Sequence, residues 1–312
     1  MAKKIKIIVA GIGGVGGYFG GLLAKKYHNS PEVEIDFIAR GEHLKRIQKN
    51  GLKVIAGAKT FTAIPEIATD HPSEIGIADY ILICTKSYDL EAVLGQLKPC
   101  IDKNTILLPL LNGVEGAEII RALLPGNIVL DGCVYIISRL KEAGVVENTG
   151  NIQKLYFGIE KTTNPRLITL ENILFDADIE ATLSKNITST IWEKFLYISP
   201  VATATSLFDN SIGEILADSN KREFLFRLID EVAEIAFTKE IITNDEITSK
   251  IRDKLKLFPY DSTSSMHSDF KIHKQRTEIE TLTGYIVREG LKLGIAIPGF
   301  EKAYKELIDK TK

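Results

Sequence analysis

A glycine-rich turn near the start of the chain has the residue types and spacing that bind a phosphate group. It lies between a predicted strand, Ile5 to Ala10, and a predicted helix, about Val15 to Lys26. A Gly-x-Gly-x-x-Gly turn in this position lets the backbone approach a pyrophosphate at the helix N-terminus. The pattern predicts a dinucleotide ligand, bound by Gly11, Ile12, Gly13, Gly14, Val15 and Gly16.

Arg40 indicates which dinucleotide this is. A second predicted strand, Val33 to Ile38, ends where the adenosine ribose would lie, and Arg40 follows it. An acidic residue here hydrogen-bonds the free 2′-hydroxyl of NAD, whereas an arginine accommodates the 2′-phosphate of NADP. The sequence therefore predicts NADP(H). A solvated arginine at a strand end is the alternative, since Glu34 and Asp36 lie on the same strand.

Two polar residues follow later apolar segments that predict strands. Lys86 comes after Asp79 to Thr85, and Asn112 comes after Thr105 to Leu111. Loops at the carboxyl ends of parallel strands line the ligand crevice, so both side chains are expected to face it. A surface charge for Lys86 and an ordinary turn at Asn112 are the alternatives.

Lys194 stands in an otherwise apolar stretch and could do proton chemistry. Lysines are rarely fully buried unless paired, and such a lysine could donate a proton to a carbonyl that receives hydride. The alternative is a packed stem with its ammonium in water. The cluster Asp261 to Met266 could bind a carboxylate or simply cap a helix. Glu278, near a helix start, could pair with a lysine or favour the helix dipole.

The elements that position these residues change in character near residue 184. Before it, strands alternate with helical patterns, which predicts a parallel sheet, followed by β-rich segments (128–138 and 145–159) that look antiparallel. After it, amphipathic helices are predicted over 187–208, 219–238, 245–257 and 278–293. We therefore predict an α/β, Rossmann-like NADP-binding domain with a parallel sheet over residues 1–184. An all-α domain for substrate binding and dimerisation is predicted over residues 185–312.

Composition excludes several other classes of protein. The net charge of −2 gives no support to nucleic-acid or acidic-membrane binding, and no stretch is long and apolar enough to span a membrane. Three widely spaced cysteines match neither a disulfide framework nor a metal site, so they are expected to be reduced and buried. Glycines interrupt the apolar run after Lys3 and Lys4, which argues against a secretory signal. A cytoplasmic protein without a metal is expected.

The chain resembles the ketopantoate reductases (2-dehydropantoate 2-reductases). The matching motifs follow one another over nearly the whole chain, and they comprise residues 11–21, 38–41, 85–88, 111–114, 191–194, 263–266, 277–279 and 294–298. The resemblance implies NADPH-dependent reduction of 2-dehydropantoate, a small 2-oxo acid, to pantoate in pantothenate and coenzyme A biosynthesis. The long amphipathic helices leave a monomer and a homodimer both open.

The resemblance also implies a role for each site residue. On the cofactor side, the glycine turn would bind the pyrophosphate, Arg40 and Lys86 would contact the adenosine phosphate end, and Ser138 would touch the cofactor. Asp89 stands near the place where the family has a glutamine.

On the substrate side, the resemblance places Asn112 beside both the nicotinamide and the substrate. Lys194 would be the general acid that protonates the C2 oxygen, and Ser265 would help to bind the substrate carboxylate. Glu278 would orient the cofactor and the catalytic lysine.

The chain departs from the family pattern after Lys194. Family members commonly carry asparagines four and eight residues later, where this chain has Ile198 and Ala202. Pro200 is expected to cost a helix hydrogen bond and bend the axis. Such a bend could turn other polar residues inward in place of the asparagines, namely Ser199, Thr203 or Thr205. The exact 2-oxo acid therefore stays open, and a non-catalytic NADPH-binding or sensing protein is a further alternative.

Overall fold

The computed structural model describes residues 3–160, 164–242, 244 and 246–311. The chain divides into two compact units. The first comprises Met1–Leu111 and Glu115–Ile187, and the second comprises Asn112–Val114 and Thr188–Lys312. The domain boundary proposed after residue 184 stays a prediction.

A fully parallel sheet forms the centre of the first unit. The strands of this unit are β1 (Ile5–Ala10), β2 (Val33–Ile38), β3 (Leu52–Ala56), β4 (Lys59–Ala63), β5 (Ala68–Thr69), β6 (Tyr80–Ile83), β7 (Ile106–Pro109), β8 (Ile128–Val129), β9 (Asp131–Tyr135), β10 (Ser138–Glu142), β11 (Val145–Asn148), β12 (Lys154–Gly158) and β13 (Glu180–Leu183). Six of them pair in the order β5-β2-β1-β6-β7-β8, and each of these pairs is parallel.

Both faces of this sheet are covered, which explains the nearly continuous apolar sequence of its strands. In β1, Ile7 and Val9 belong to one buried cluster, and Ile8 and Ala10 belong to another. The helices that begin in this unit are α1 (Gly14–Lys26), α2 (Gly41–Asn50), α3 (Leu90–Leu97), α4 (Gly116–Leu123), α5 (Pro165–Asp176) and α6 (Ile187–Phe208). The predicted α/β class with a parallel sheet is confirmed.

The prediction that the later strands are antiparallel is wrong in part. β11 pairs antiparallel with β10 but parallel with β3, in a sheet ordered β10-β11-β3-β4. β12 pairs antiparallel with β9 but parallel with β13. Turn residues between neighbouring strands indicate hairpins, but they carry no information about a partner strand from a distant part of the chain.

The second unit is mostly helical, as predicted. Besides most of α6 it contains α7 (Ile212–Ala217), α8 (Ser219–Thr238), α9 (Ile247–Leu255), α10 (Ser265–Lys271), α11 (Tyr285–Leu293) and α12 (Pro298–Asp309). The predicted bounds of α6 and α8 are confirmed. The segment predicted as one helix from Glu278 instead contains a π-helical turn, Glu280–Gly284, before α11. The predicted start of α9 at residue 245 lies outside the described residues.

Pro200, the cysteines and the length of the helices are also the subject of predictions. Pro200 lies inside α6, and the predicted bend of the helix axis stays a prediction. The three cysteines are free. Cys100 and Cys133 are buried as predicted, whereas Cys84, which follows β6, is partly exposed. Among the helices of the described chain, none is long and apolar enough to cross a membrane.

Candidate functional site

The glycine turn of the first unit has the geometry of an anion site. Gly11 has φ +94°, and a Cβ built on it would lie 2.8 Å from Cγ2 of Thr85, so glycine alone fits there. Gly13 precedes α1 without a side-chain cap, and the first turn of α1 contains no acidic residue. A Cβ on Gly13 would meet nothing within 4 Å. The helix N-terminus is therefore open to a phosphate group.

A buried hydroxyl beside this turn lacks a partner. Oγ1 of Thr85, just after β6, is buried and makes no hydrogen bond within the described chain. Leaving a buried hydroxyl unpaired costs roughly 1–3 kcal/mol. A ligand oxygen at the glycine turn would offer this hydroxyl an acceptor. The open helix N-terminus and this hydroxyl together fit a bound dinucleotide.

Arg40 and Asp89 form an ion pair at the edge of the same unit. Arg40 has extended backbone and directly precedes α2, and its side chain is 81% exposed. Its Nη2 donates to Oδ2 of Asp89 at 3.2 Å. Asp89 ends a short 3₁₀ turn, Ser87–Asp89, that begins after Lys86. The structure therefore brings the Lys86 segment to Arg40 through this carboxylate.

Ser138 lies against the glycine turn. Its Oγ is 2.9 Å from the carbonyl oxygen of Gly14 and 3.2 Å from that of Glu147, and it can donate to either. A Cβ on Gly14 would overlap the Ser138 backbone, so a glycine is also needed for this close approach. Direct contact of Ser138 with a cofactor stays a prediction.

In the second unit, Lys194 is buried and hydrogen-bonded. It is 7% exposed, and its Nζ donates to Oδ1 of Asn112 at 3.2 Å. Burial of an ammonium group is costly unless it is hydrogen-bonded or paired. The structure therefore does not support the alternative of a lysine whose ammonium reaches into water.

Gly113 fixes the segment that carries Asn112. Its φ is +89°, and a Cβ on it would overlap the Cγ2 methyl of Thr281 in the π-helical turn. The next residue, Val114, packs against the core of the second unit. Asn112 is thereby held close to Lys194 by contacts on both of its following residues.

Glu278 and Thr277 come just before the π-helical turn. Glu278 is 2% exposed, and its carbonyl accepts from the Leu282 amide at 3.0 Å. Oγ1 of Thr277 is buried and has no hydrogen-bond partner in the part of the chain that is described. Single π-helical turns occur frequently at functional sites. The unpaired hydroxyl of Thr277 therefore lies next to a buried carboxyl group and a π-helical turn.

Three hydroxyl groups of α6 are used by the protein itself, whereas the buried hydroxyl of Ser206 has no hydrogen-bond partner within the described residues. Ser199 donates to the carbonyl of Leu282 at 2.6 Å, and the hydroxyls of Thr203 and Thr205 each contact another hydroxyl, on Thr283 and Ser264 respectively. The positions four and eight residues after Lys194 are held by Ile198, partly buried, and Ala202, fully buried. The helix is therefore apolar at these two positions, and the next position on the same face is Ser206.

Ser265 is exposed at the first residue of α10. The preceding Ser264 caps this helix by accepting from the His267 amide at 3.0 Å, and it meets Thr205 of α6 at 2.9 Å. Thr205 lies eleven residues beyond Lys194, which is about 16 Å along a helix with a rise of ~1.5 Å per residue. The structure therefore places Ser265 beside a different part of α6 from Lys194.

Sequence reasoning assigned no role to three threonines, Thr85, Thr277 and Thr281. The first two each carry a buried, unpaired hydroxyl, and the third packs on Gly113. A threonine next to a motif has no distinctive sequence signal, because only its neighbours in space decide whether its hydroxyl is paired.

Comparisons with known proteins cover both units. The family described as "Ketopantoate reductase PanE/ApbA" matches residues 7–161, and its C-terminal counterpart, "Ketopantoate reductase PanE/ApbA C terminal", matches residues 186–310. The uncharacterized oxidoreductase YkpB of Bacillus subtilis (strain 168) is 29% identical, over 97% of this chain and 98% of its own length. The 2-dehydropantoate 2-reductase of Halobacterium salinarum is 26% identical, over 94% of this chain and 95% of its own length.

Solved structures show the same fold. The crystal structure of 2-dehydropantoate 2-reductase from Porphyromonas gingivalis W83 is 37% identical, with a TM-score of 0.85 and coverage of 98% of this chain and 100% of that one. A ternary structure of D-mandelate dehydrogenase with NADH and anilino(oxo)acetate has the same TM-score, 0.85, at 24% identity, with coverage of 98% of each chain.

Proposed function

Because the chain belongs to the ketopantoate reductase PanE/ApbA family of oxidoreductases, we propose that it is an NADPH-dependent 2-dehydropantoate 2-reductase. Its product would be pantoate, for pantothenate and coenzyme A biosynthesis. The observation that carries the proposal is the buried Lys194 ammonium, which is held by Asn112 at 3.2 Å. A protein that only bound the nucleotide would have no need for a buried proton donor.

The residues of the first unit would hold the cofactor. The backbone of the glycine turn and the N-terminus of α1 would bind the pyrophosphate. The guanidinium of Arg40 would bind the 2′-phosphate, and Lys86 would also contact this end of the cofactor. When bound, NADPH supplies the hydride for C2 of the substrate. The unpaired hydroxyl of Thr85 would donate a hydrogen bond to a ligand oxygen at the turn.

The residues of the second unit would act on the 2-oxo acid. As the carbon of the carbonyl gains a hydride, its π electron pair moves to oxygen, and Lys194 would transfer a proton to that oxygen to leave a hydroxyl group. Asn112 would orient the ammonium by accepting a hydrogen bond from it. Glu278 would orient the lysine and the cofactor. For Ser265 to bind the carboxylate of the same substrate, α10 would have to approach Lys194, because the start of α10 contacts α6 at Thr205.

A Lys194→Ala variant tests this proposal. With 2-dehydropantoate and NADPH, we expect kcat to fall by about 10²–10⁴-fold, the usual contribution of a general acid, while NADPH affinity stays within about threefold. Lys305→Ala, which removes an exposed lysine of the same unit, is the matched control and should keep full activity. Undiminished turnover by Lys194→Ala would refute the role of Lys194. Tight NADPH binding by the wild type with no turnover on any 2-oxo acid would favour a sensing protein.

A reductase of another 2-oxo acid is the second candidate. The apolar pair Ile198 and Ala202 on the helix after Lys194 offers no hydrogen bond to a substrate hydroxyl, which favours a substrate without one. D-mandelate dehydrogenase shows that this fold also accommodates an aromatic 2-oxo acid analogue. Comparison of kcat/KM for 2-dehydropantoate, 3-methyl-2-oxobutanoate and phenylglyoxylate separates the two candidates.

Dimerisation and cellular location are two further properties that can be tested. We propose that the helical unit serves dimerisation, which light scattering on the purified protein would test at several concentrations. The cytoplasmic location also stays a prediction, and fractionation of cells that express the protein would test it.

A further inference from the structure

The Arg40 and Asp89 pair bears on which nicotinamide dinucleotide the chain prefers. Arg40 is the residue proposed to bind the 2′-phosphate, yet its guanidinium already donates to a carboxylate at 3.2 Å. The side chain of Asp89 is only 20% exposed, whereas that of Arg40 is 81% exposed. The carboxylate is therefore the fixed partner in this pair, and the arginine reaches out to it from the surface.

The orientation of Asp89 is not explained by helix capping. Asp89 occupies the residue before α3, where aspartate commonly accepts a hydrogen bond from the backbone of the following helix. Here it makes no such capping bond, and one of its oxygens faces Arg40 instead. The position of this side chain thus presents a negative charge to the group that would recognise a phosphate.

A phosphate and this carboxylate would compete for one guanidinium. A 2′-phosphate on Arg40 would bring a second anionic group close to Asp89, and like charges at such distances repel each other. A ribose that has both hydroxyls free carries no such charge and could donate a hydrogen bond to the carboxylate. Asp89 should therefore weaken the binding of NADP(H) relative to NAD(H).

We propose that Asp89 is a specificity-determining residue that reduces the preference of this chain for the 2′-phosphorylated cofactor, so that NADPH and NADH both bind. The proposal rests on the cofactor site of the proposed function, but it concerns nucleotide recognition rather than the reaction. It can therefore be tested by binding alone, without a 2-oxo acid.

The test is calorimetric titration of 2′,5′-ADP and 5′-AMP into the full-length wild type, Asp89→Asn and Glu91→Gln. Asp89→Asn should raise the affinity for 2′,5′-ADP by about tenfold while 5′-AMP changes by less than about threefold, since one nearby negative charge is removed. Glu91→Gln removes an exposed acid two residues away and serves as the matched control, with little expected effect. Arg40→Ala should abolish any preference for 2′,5′-ADP.

An unchanged 2′,5′-ADP affinity in Asp89→Asn would overturn the proposal, and so would an equal gain in Glu91→Gln. If wild-type protein bound neither nucleotide, the cofactor site itself would be refuted. If the wild type bound both nucleotides and Asp89→Asn gave the expected gain for 2′,5′-ADP, this proposal would stand even if the protein reduced no 2-oxo acid. That last result would refute the proposed reaction alone.

Discussion

Nζ of Lys194 and Oδ1 of Asn112 lie 3.2 Å apart, although 82 positions separate the two residues in the chain. Lys194 comes from α6, whereas Asn112 comes from the short segment 112–114 that follows β7 and belongs to the second unit. The bond gives the ammonium a fixed direction. It therefore makes the lysine a candidate proton donor whose position depends on a second residue.

Replacement of Asn112 by alanine should weaken catalysis without removing the proton donor. A hydrogen bond to a charged group contributes about 1.5–3 kcal/mol, so kcat/KM should fall by roughly 10–150-fold. Steady-state kinetics with NADPH and 2-dehydropantoate would measure the change, with Asn151→Ala at an exposed position as control. Equal kinetics in Asn112→Ala and the control would show that the bond to Lys194 has no catalytic role.

Gly113→Ala should displace Asn112 from Lys194. The new methyl group would overlap Cγ2 of Thr281, in addition to the cost of about 1–2 kcal/mol for a side chain at positive φ. We expect at least a tenfold loss of kcat. The second change Thr281→Ser removes that Cγ2 and should restore part of the activity in the double variant.

Gly76→Ala separates the overlap with Thr281 from the cost of a side chain at positive φ. Gly76 has φ +78°, close to that of Gly113, but a Cβ on it would meet nothing within 4 Å. Its alanine variant should lose stability and keep its kcat. If Thr281→Ser brought back no activity in Gly113→Ala, the overlap with Thr281 would not be the cause of the loss.

Ile198→Asn should change the choice of substrate. The new amide would stand one helical turn after Lys194, where it could hydrogen-bond a hydroxyl of the substrate. We expect kcat/KM for 2-dehydropantoate to rise about tenfold relative to that for 3-methyl-2-oxobutanoate, which lacks the hydroxyl. Ile198→Leu keeps the site apolar and should leave the ratio unchanged. An unchanged or lower ratio for Ile198→Asn would show that this position does not hydrogen-bond the substrate hydroxyl.

Asp36 should make stability depend on pH. It is fully buried in β2, and burial raises its pKa from 3.8 to about 6, with Glu34 and Glu66 acting in the same direction and Lys6 and the Ile67 amide opposing them. Because the folded state binds the proton more tightly, the penalty for ionisation is absent below pH 4. It grows as the pH rises to about 6 and is then constant, at roughly 2–3 kcal/mol.

Asp36→Asn should remove this penalty. Asparagine can still accept from the Ile67 amide, which now donates to Asp36 Oδ1 at 3.0 Å. Urea unfolding should show the variant to be more stable than the wild type by about 1–2 kcal/mol at pH 8, with a smaller difference or none at pH 4. The same difference at both pH values would mean that ionisation of Asp36 is not involved.

Local sequence determined the bounds of several strands and helices and the position of the glycine turn. β1, β2, α6 and α8 have the predicted bounds, because the period of the apolar residues decides which face of a strand or helix can be buried. The turn from Gly11 is equally local, since a positive φ is a property of one residue. Sequence order alone also placed Arg40 at the end of β2.

Tertiary structure decided how distant parts of the chain combine. The parallel pairing of β11 with β3, the bond from Lys194 to Asn112 and the ion pair of Arg40 with Asp89 each join residues that are far apart in sequence. The unpaired hydroxyl of Thr85 is likewise visible only in the folded chain. Such contacts depend on how whole elements pack, and the periodicity of a single segment contains no information about its partner.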